Sequence, residues 1–579
     1  MAQFPNSTTA DGIWTLKKVR RAILGENWPS IIETDAFWAN TVLLLNGENA
    51  FNGGQNNTFL DTSTNGHSIT RNGNVTQGSF SPFSVDDGKW GNYFDGNGDE
   101  LSIADSAALY PSGDFTVEAW VYRTTTDTHG IFSQWDSNSG GSQHVYFIRI
   151  QTNVVKFLAR NTGGTYFDVV GTTTIPTHEW VHIAVTRSGN LFSIFVNGVL
   201  DNSATHAQTI RDGSTSYLIG NQGNGNEDLD GYISNLRYVN GTAVYTSAFT
   251  PPTAPLAAIS GTSLLTCQSN RFVDNSSNAH SITVNGDTKV VPFSPFPQTT
   301  AYSASTNGAS GDFTASSDDN LSVSGATLSP GTSDYCVDLW YYSKIQSGFE
   351  NYPAWIGQDE GTFDNGTWSF RNAYIGQPGI AFAGKDSGGT IINQQNQDYD
   401  PNDGGWHHCV LTKTNTNEFR VFMDGELAIY FTATVNFNNN ETLRIGREER
   451  DASNVDGYIS DLRYFIGSVP SYYQTSSTTI GASIYTVPTA PRETESASLH
   501  LKFANASIKD ATGRNALETV GNAQIDTTTV KYGTGSMKFD ETGDYLTLPP
   551  TELVSFGTGD FTIELWAYFA TSPTDGEGL

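Results

Sequence analysis

The chain has 579 residues, enough for about three or four domains of ordinary size, with 37% apolar, 16% charged and 12% aromatic residues. Its 60 acidic and 30 basic residues leave a net charge of −30, which repels phosphate backbones and excludes a nucleic-acid partner. The aromatic content excludes a disordered chain, and no apolar run approaches the ~18 residues of a membrane-spanning helix, which excludes insertion by that route.

Residues 1–34 read differently from the rest. The opening Met1-Ala-Gln-Phe-Pro-Asn-Ser7 has neither the basic start nor the apolar run of a secretory leader. Asp11 can cap a helix, Ile13, Leu16, Val19 and Ile23 recur at helical spacing, and Gly25 with Pro29 can end it. Lys17, Lys18, Arg20 and Arg21 form the basic patch of an acidic chain. A single short helix is marginal alone, so it is expected to dock, either on its own first module or on a partner through Trp14, Lys17, Lys18, Arg20, Arg21 and Trp28.

The rest of the chain repeats itself. Gly113-Asp-Phe-Thr-Val-Glu-Ala-Trp-Val-Tyr122 returns as Ser333-Asp-Tyr-Cys-Val-Asp-Leu-Trp-Tyr-Tyr342 and as Gly559-Asp-Phe-Thr-Ile-Glu-Leu-Trp-Ala-Tyr568. Trp180-Val-His-Ile-Ala-Val-Thr186 returns as Trp406-His-His-Cys-Val-Leu-Thr412, and Gly231-Tyr-Ile-Ser-Asn-Leu-Arg-Tyr238 as Gly457-Tyr-Ile-Ser-Asp-Leu-Arg-Tyr464. A period far beyond the roughly 20–50 residues of solenoid units marks whole domains in tandem. The predicted boundaries are 36–258, 259–491 and 495–579, the last incomplete, with proline-rich spacers at Thr250-Pro-Pro-Thr-Ala-Pro255 and Thr486-Val-Pro-Thr-Ala-Pro491.

Within a module the period is two. Phe115, Val117, Ala119 and Val121 share one face, and Thr116, Glu118, Trp120 and Tyr122 the other, which predicts a strand covered on both sides, as in a sandwich. Leu191-Phe-Ser-Ile-Phe-Val196 before Asn197-Gly198, and Glu418-Phe-Arg-Val-Phe-Met423 before Asp424-Gly425, predict hairpins with type I′ turns. Cys336 and Cys409 fall inside strand patterns; with Cys267 they make an odd, sparse set that predicts free thiols and folding in a reducing cytoplasm.

These residues resemble the laminin-G-like, concanavalin-A-like jelly roll, on Tyr93-Phe-Asp-Gly96, Gly113–Trp120, the Trp180 strand, Asn197-Gly198 and Asp230-Gly-Tyr-Ile-Ser-Asn-Leu-Arg237. The resemblance implies an all-β chain of tandem concanavalin-A-like jelly-roll sandwiches with a short N-terminal helix. A narrower resemblance, on Asn240-Gly-Thr-Ala-Val-Tyr-Thr-Ser-Ala-Phe-Thr-Pro-Pro-Thr-Ala-Pro255 and Leu264-Leu-Thr-Cys-Gln-Ser-Asn-Arg-Phe-Val-Asp-Asn-Ser-Ser277, is to the tandem modules of structural proteins of marine tailed phages; Asp11–Arg21 with Asn27-Trp-Pro29 resembles their leader. It implies a virion component (a fibre, knob or decoration protein) made in the host cytoplasm, attached to other virion proteins through residues 1–34, homo-oligomeric (a trimer, by analogy with fibres), and displaying modules to host-surface glycan. The rival readings are a capsid or tail cementing protein without receptor binding, and a glycan hydrolase.

The strand acids do not favour the hydrolase. Retaining glycosidases need two carboxylates about 5–5.5 Å apart, whereas Glu118, Asp338 and Glu564 are each followed on their own face only by Trp and Tyr. A hydrogen-bonding or ion-pair role is expected of them, and no enzyme. His178-Glu-Trp-Val-His182 spells a zinc motif that works on a helix, but it leads into a strand here; His182 and His408 are expected to be satisfied histidines, and His407 and His408 to point to opposite faces. For Ca²⁺ the candidate oxygen ligands are Asp95, Asp99, Asn226, Glu227 and Asp228, with Asp230 beside them; ordinary acidic turns are the alternative. Trp135, Trp355 and Trp368, in loop-rich stretches, are the candidates to stack on sugar rings, with core packing as the alternative.

Overall fold

The structure is a computed structural model. It describes residue 45 and residues 56–548 and 560–570, short internal stretches excepted (137–140, 224–226, 297–302, 325–327, 347–351, 359–363, 374–377, 415, 440, 449–452, 504–507, 509–516, 532–534 and 541). The expected N-terminal helix and the partner-anchoring residues Trp14, Lys17, Lys18, Arg20, Arg21 and Trp28 lie outside the described residues.

Two jelly rolls are built alike, each from an eight-stranded and a seven-stranded antiparallel sheet. In the first roll the period-two strand Phe115–Arg123 lies between Trp180–Ser188 and Asp230–Asn240. Phe115, Val117, Ala119 and Val121 enter the core between the sheets, as their spacing predicts, with Phe132, Tyr146, Phe157 and Phe192. The second roll repeats this around Tyr335–Ser343, between Trp406–Lys413 and Gly457–Ile466. Its core holds Tyr335, Val337, Leu339 and Tyr341 beside Trp355, Trp368 and Phe382.

Both predicted hairpin turns form. Asn197 and Gly198 have φ of 47° and 75°, Asp424 and Gly425 of 51° and 91°, the positive pair a type I′ turn requires. The second position must be glycine on space as well as angle. A Cβ on Gly198 would meet the Phe249 carbonyl oxygen at 2.0 Å, and one on Gly425 the Tyr485 carbonyl oxygen at 2.4 Å. The side chain of the first turn residue adds a bond in each copy: Asn197 Oδ1 accepts from the His182 amide at 2.9 Å, and Asp424 Oδ1 from the His408 amide at 2.9 Å.

The rolls do not follow the expected module boundaries. The opening of the second repeat completes the first roll: Thr262–Thr266 pairs with Asp230–Asn240, Ile282–Asn285 with Glu100–Ile103, and Lys289–Val291 with Gly91–Asp95. The opening of the first repeat completes the second roll: Thr70–Asn72 pairs with Asn320–Val323, and Thr76–Gly78 with Ser310–Phe313. The two leaders, residues 56–83 and 262–296, are therefore exchanged. The third repeat adds Leu499–Leu501 to the second roll beside Gly457–Ile466, and then pairs its Glu518–Val520 with its own Tyr545–Thr547.

Each leader ends in Phe-Ser-Pro-Phe, and that motif covers the outer aromatic face of the roll it joins. Phe293 meets Tyr122, Trp180 and Tyr232 with ring centroids 5.1, 5.1 and 4.9 Å away. Phe80 meets Tyr342, Trp406 and Tyr458 at 5.2, 5.1 and 4.9 Å. Phe296 lies edge-on to Trp120 at 5.9 Å and Phe83 to Trp340 at 5.6 Å. The aromatic outer face predicted for Phe115–Arg123 is thus a docking face for a leader. In the third repeat residues 560–569 are not in a strand, and Trp566 and Tyr568 are 71% and 77% exposed.

Candidate functional site

The strand acid is the same device in both rolls. Glu118 is buried and takes three side chains: Arg237 donates to Oε1 from Nε at 2.9 Å and Nη2 at 2.5 Å, Tyr245 donates to Oε2 at 2.8 Å, and His182 Nε2 is 3.1 Å from Oε2. Asp338 takes Arg463 at 3.0 and 2.5 Å and the Tyr473 hydroxyl at 2.6 Å. Burial works against the charge of Glu118, but His182 and Arg237 outweigh it and hold the carboxyl below its usual range. A carboxylate tied this way is spent on joining strands, in agreement with the expected ion-pair role.

His182 is bonded to Glu118 through Nε2 while its buried Nδ1 has no hydrogen-bond partner among the described residues, and the other histidines behave as expected. His178 has φ of 63° and sits at the entry to the strand Trp180–Ser188, so the His-Glu-Trp-Val-His spelling never becomes a helix face. His407 and His408 point to opposite sides: His407 bridges Asp403 at 2.8 Å and Asp424 at 2.7 Å, while His408 bonds the Tyr485 hydroxyl at 2.9 Å. Burial disfavours a charged His407, yet its two carboxylates prevail and hold it up to about 10. Burial, with Arg492 nearby, keeps His408 neutral.

At one rim of the first roll, carboxylates gather. Asp95, Asp99 and Asp287 bring one oxygen each within 4.8 Å of one another. Asp99 is buried and accepts from the backbone amides of Asp95 at 2.9 Å and Asp287 at 2.6 Å. Burial, then the charges of Asp95 and Asp287, push its carboxyl up to about 6 despite those bonds. Among the described residues no lysine or arginine makes an ion pair with the three. Hard oxygen donors of this kind fit a Ca²⁺ ion.

The set differs from the expected one. Asp95 and Asp99 are in it; Asp228 lies alongside, accepting from Gly98 N at 3.2 Å and Asn221 Nδ2 at 2.5 Å. Glu227 is an ion-pair partner of Arg149 instead, so its charge is compensated. Asn226 lies outside the described residues. Asp287 was missed because it belongs to the second repeat and arrives only by the leader exchange. Arg149–Glu227 was missed as well, and its counterpart Arg371–Glu448 (2.6 Å) in the second roll uses a glutamate in the short strand Arg447–Glu448. In the second roll Asp319 keeps the role of Asp99, accepting from Thr314 N at 2.9 Å and from Asn74 N, so Thr314 and Asn74 stand where the first roll has Asp95 and Asp287.

The tryptophans resolve to core packing. Trp355 and Trp368 are fully buried in the second roll and offer no ring face to a sugar. Trp135 is 6% exposed, with His144 stacked on it at 3.9 Å and Phe147 edge-on at 4.8 Å. The loop reading failed because Ala354–Gln358 and Thr367–Asn372 are inner-sheet strands, and Trp135 ends the strand His129–Trp135.

Paired antiparallel sheets with this strand order define a concanavalin-A-like sandwich. The chain belongs to the Laminin_G_3 family, the concanavalin A-like lectin/glucanases superfamily, whose model matches residues 94–243 and 315–468 and neither leader. No curated protein matches the chain. Among solved structures it is similar to a Bacteroides ovatus protein provisionally described as carbohydrate-binding (17% identity, 35% of this chain and 60% of that one, TM-score 0.27). It is also similar to domains LG4-5 of the mouse laminin α1 chain (11%, 65% and 88%, TM-score 0.23) and to the CBM40 of a Ruminococcus gnavus IT-sialidase bound to α2,3-sialyllactose (13%, 27% and 92%, TM-score 0.22).

Proposed function

We propose that this chain is a non-enzymatic structural protein of a tailed-phage virion, a fibre, knob or decoration protein, whose lectin-like rolls attach to host-surface glycan. The observation that supports binding is the carboxylate rim Asp95, Asp99 and Asp287 of the first roll. A Ca²⁺ ion held there by these oxygens would offer open coordination positions to sugar hydroxyls. Asp99 fixes the backbone around it, and Asp95 and Asp287 face outward. The absence of catalysis is supported by Glu118 and Asp338, whose oxygens are committed to Arg, Tyr and His partners. Residues 1–34 anchor the chain to other virion proteins, and several copies per particle multiply a weak contact.

Glycan-array binding by the full chain tests this, with Ca²⁺ and with chelator. Calcium-dependent binding that Asp287→Asn abolishes supports the proposal. Binding to no glycan in either condition favours the cementing role, and release of sugars from a polysaccharide by the full chain establishes a hydrolase.

A further inference from the structure

The slot that receives a leader is the same three times over. In the first roll Asp99 accepts from Asp95 N and from Asp287 N in the leader turn. In the second, Asp319 accepts from Thr314 N and Asn74 N. In the third repeat, Asp544 accepts from Asp540 N at 2.8 Å and Asn522 N at 2.5 Å, and here the leader turn belongs to the same repeat. One lock is thus closed locally once and across repeats twice.

A second lock shows the same indifference to origin. Asp274 accepts from Ser276 N at 2.9 Å, His280 N at 2.9 Å and Leu265 N at 3.0 Å, gripping a strand of its own repeat. Asp61 accepts from Ser63 N at 2.8 Å, His67 N at 2.8 Å and His500 N at 2.9 Å, gripping a strand of the third repeat. The third repeat's own leader lies against the first: Asn56 donates to the Ala523 carbonyl and accepts from Ile525 N, and Thr76 meets Thr519 at 3.0 Å. A substitute for the first leader is therefore already beside the slot.

We propose that residues 56–83 are an exchangeable donor segment, and that two copies of this chain join when this leader of one copy fills the second roll of the other. The bonds broken and made are identical, so only connectivity and concentration decide between the closed and joined forms, the condition under which domain swapping is a low-cost route to dimers. The second leader is held between two rolls by chain on both sides and stays within its own copy.

Cysteine pairs read out the exchange. Thr70 is registered opposite Ser322 and Thr283 opposite Ser102, and facing residues of antiparallel strands lie within disulfide reach. The native Cys267, Cys336 and Cys409 are buried and do not compete. Full-length T70C and S322C chains are unfolded together, refolded together and oxidised. A covalent heterodimer is expected on a non-reducing gel, its ratio to monomer rising about tenfold per tenfold rise in protein concentration while the dimer is scarce. The T283C plus S102C mixture is expected to give none. The proposal is overturned if T70C/S322C in one chain closes internally while the mixture yields no dimer at any concentration, if that double variant fails to close at all, or if the T283C plus S102C mixture yields as much dimer.

Discussion

One methylene separates the two strand acids, and the surrounding bonds record it. Glu118 reaches His182, whereas the shorter Asp338 does not reach His408, which Tyr485 takes instead. Removing the acid leaves a buried guanidinium uncompensated, so Glu118→Gln should lower unfolding stability by about 3–5 kcal/mol in a denaturant titration. His407 carries the pH prediction. Its folded value of about 10 lies above the unfolded 6.5, so its stabilisation is complete below 6.5 and is lost as pH rises towards 10. Melting temperature should fall across that window, and His407→Gln should flatten the fall. At this scale the sequence was legible where strand parity decides direction, as for His407, His408 and Glu118. It was misleading for Trp355 and Trp368, whose polar and glycine-rich neighbours read as loop although they are buried sheet residues.

Among the elements, the leaders carry the strongest consequence. Phe80 fits between Tyr342, Trp406 and Tyr458 in the second roll. Phe80→Ala should cost about 3–5 kcal/mol, the range for removing a packed aromatic, and should lower the melting transition of the second roll although residue 80 precedes the first. Phe293→Ala should do the same to the first roll. Strands and turns were readable from alternation and from Asn-Gly and Asp-Gly. Their partners were not, because the leaders of both repeats carry the same Asp-x-Ser-x-Asn-x-His-Ser-Ile-Thr pattern, at Asp61–Thr70 and Asp274–Thr283, and either suits either slot. Physical chemistry fixes what a leader binds; connectivity decides whose leader it is.

For the whole molecule, the repeat announced tandem domains and the aromatic outer faces announced a second covering layer, while the exchange relocates both boundaries and Asp287. The first roll is complete only with residues 262–296, which the spacing of the repeats assigns to the second module. The most direct measurement is the thermal unfolding of two fragments followed by near-ultraviolet circular dichroism. Residues 91–296 should melt in one cooperative transition, and residues 36–258, which carry the leader of the other roll, should show none. A cooperative transition for 36–258 and its loss in 91–296 would contradict the exchanged architecture.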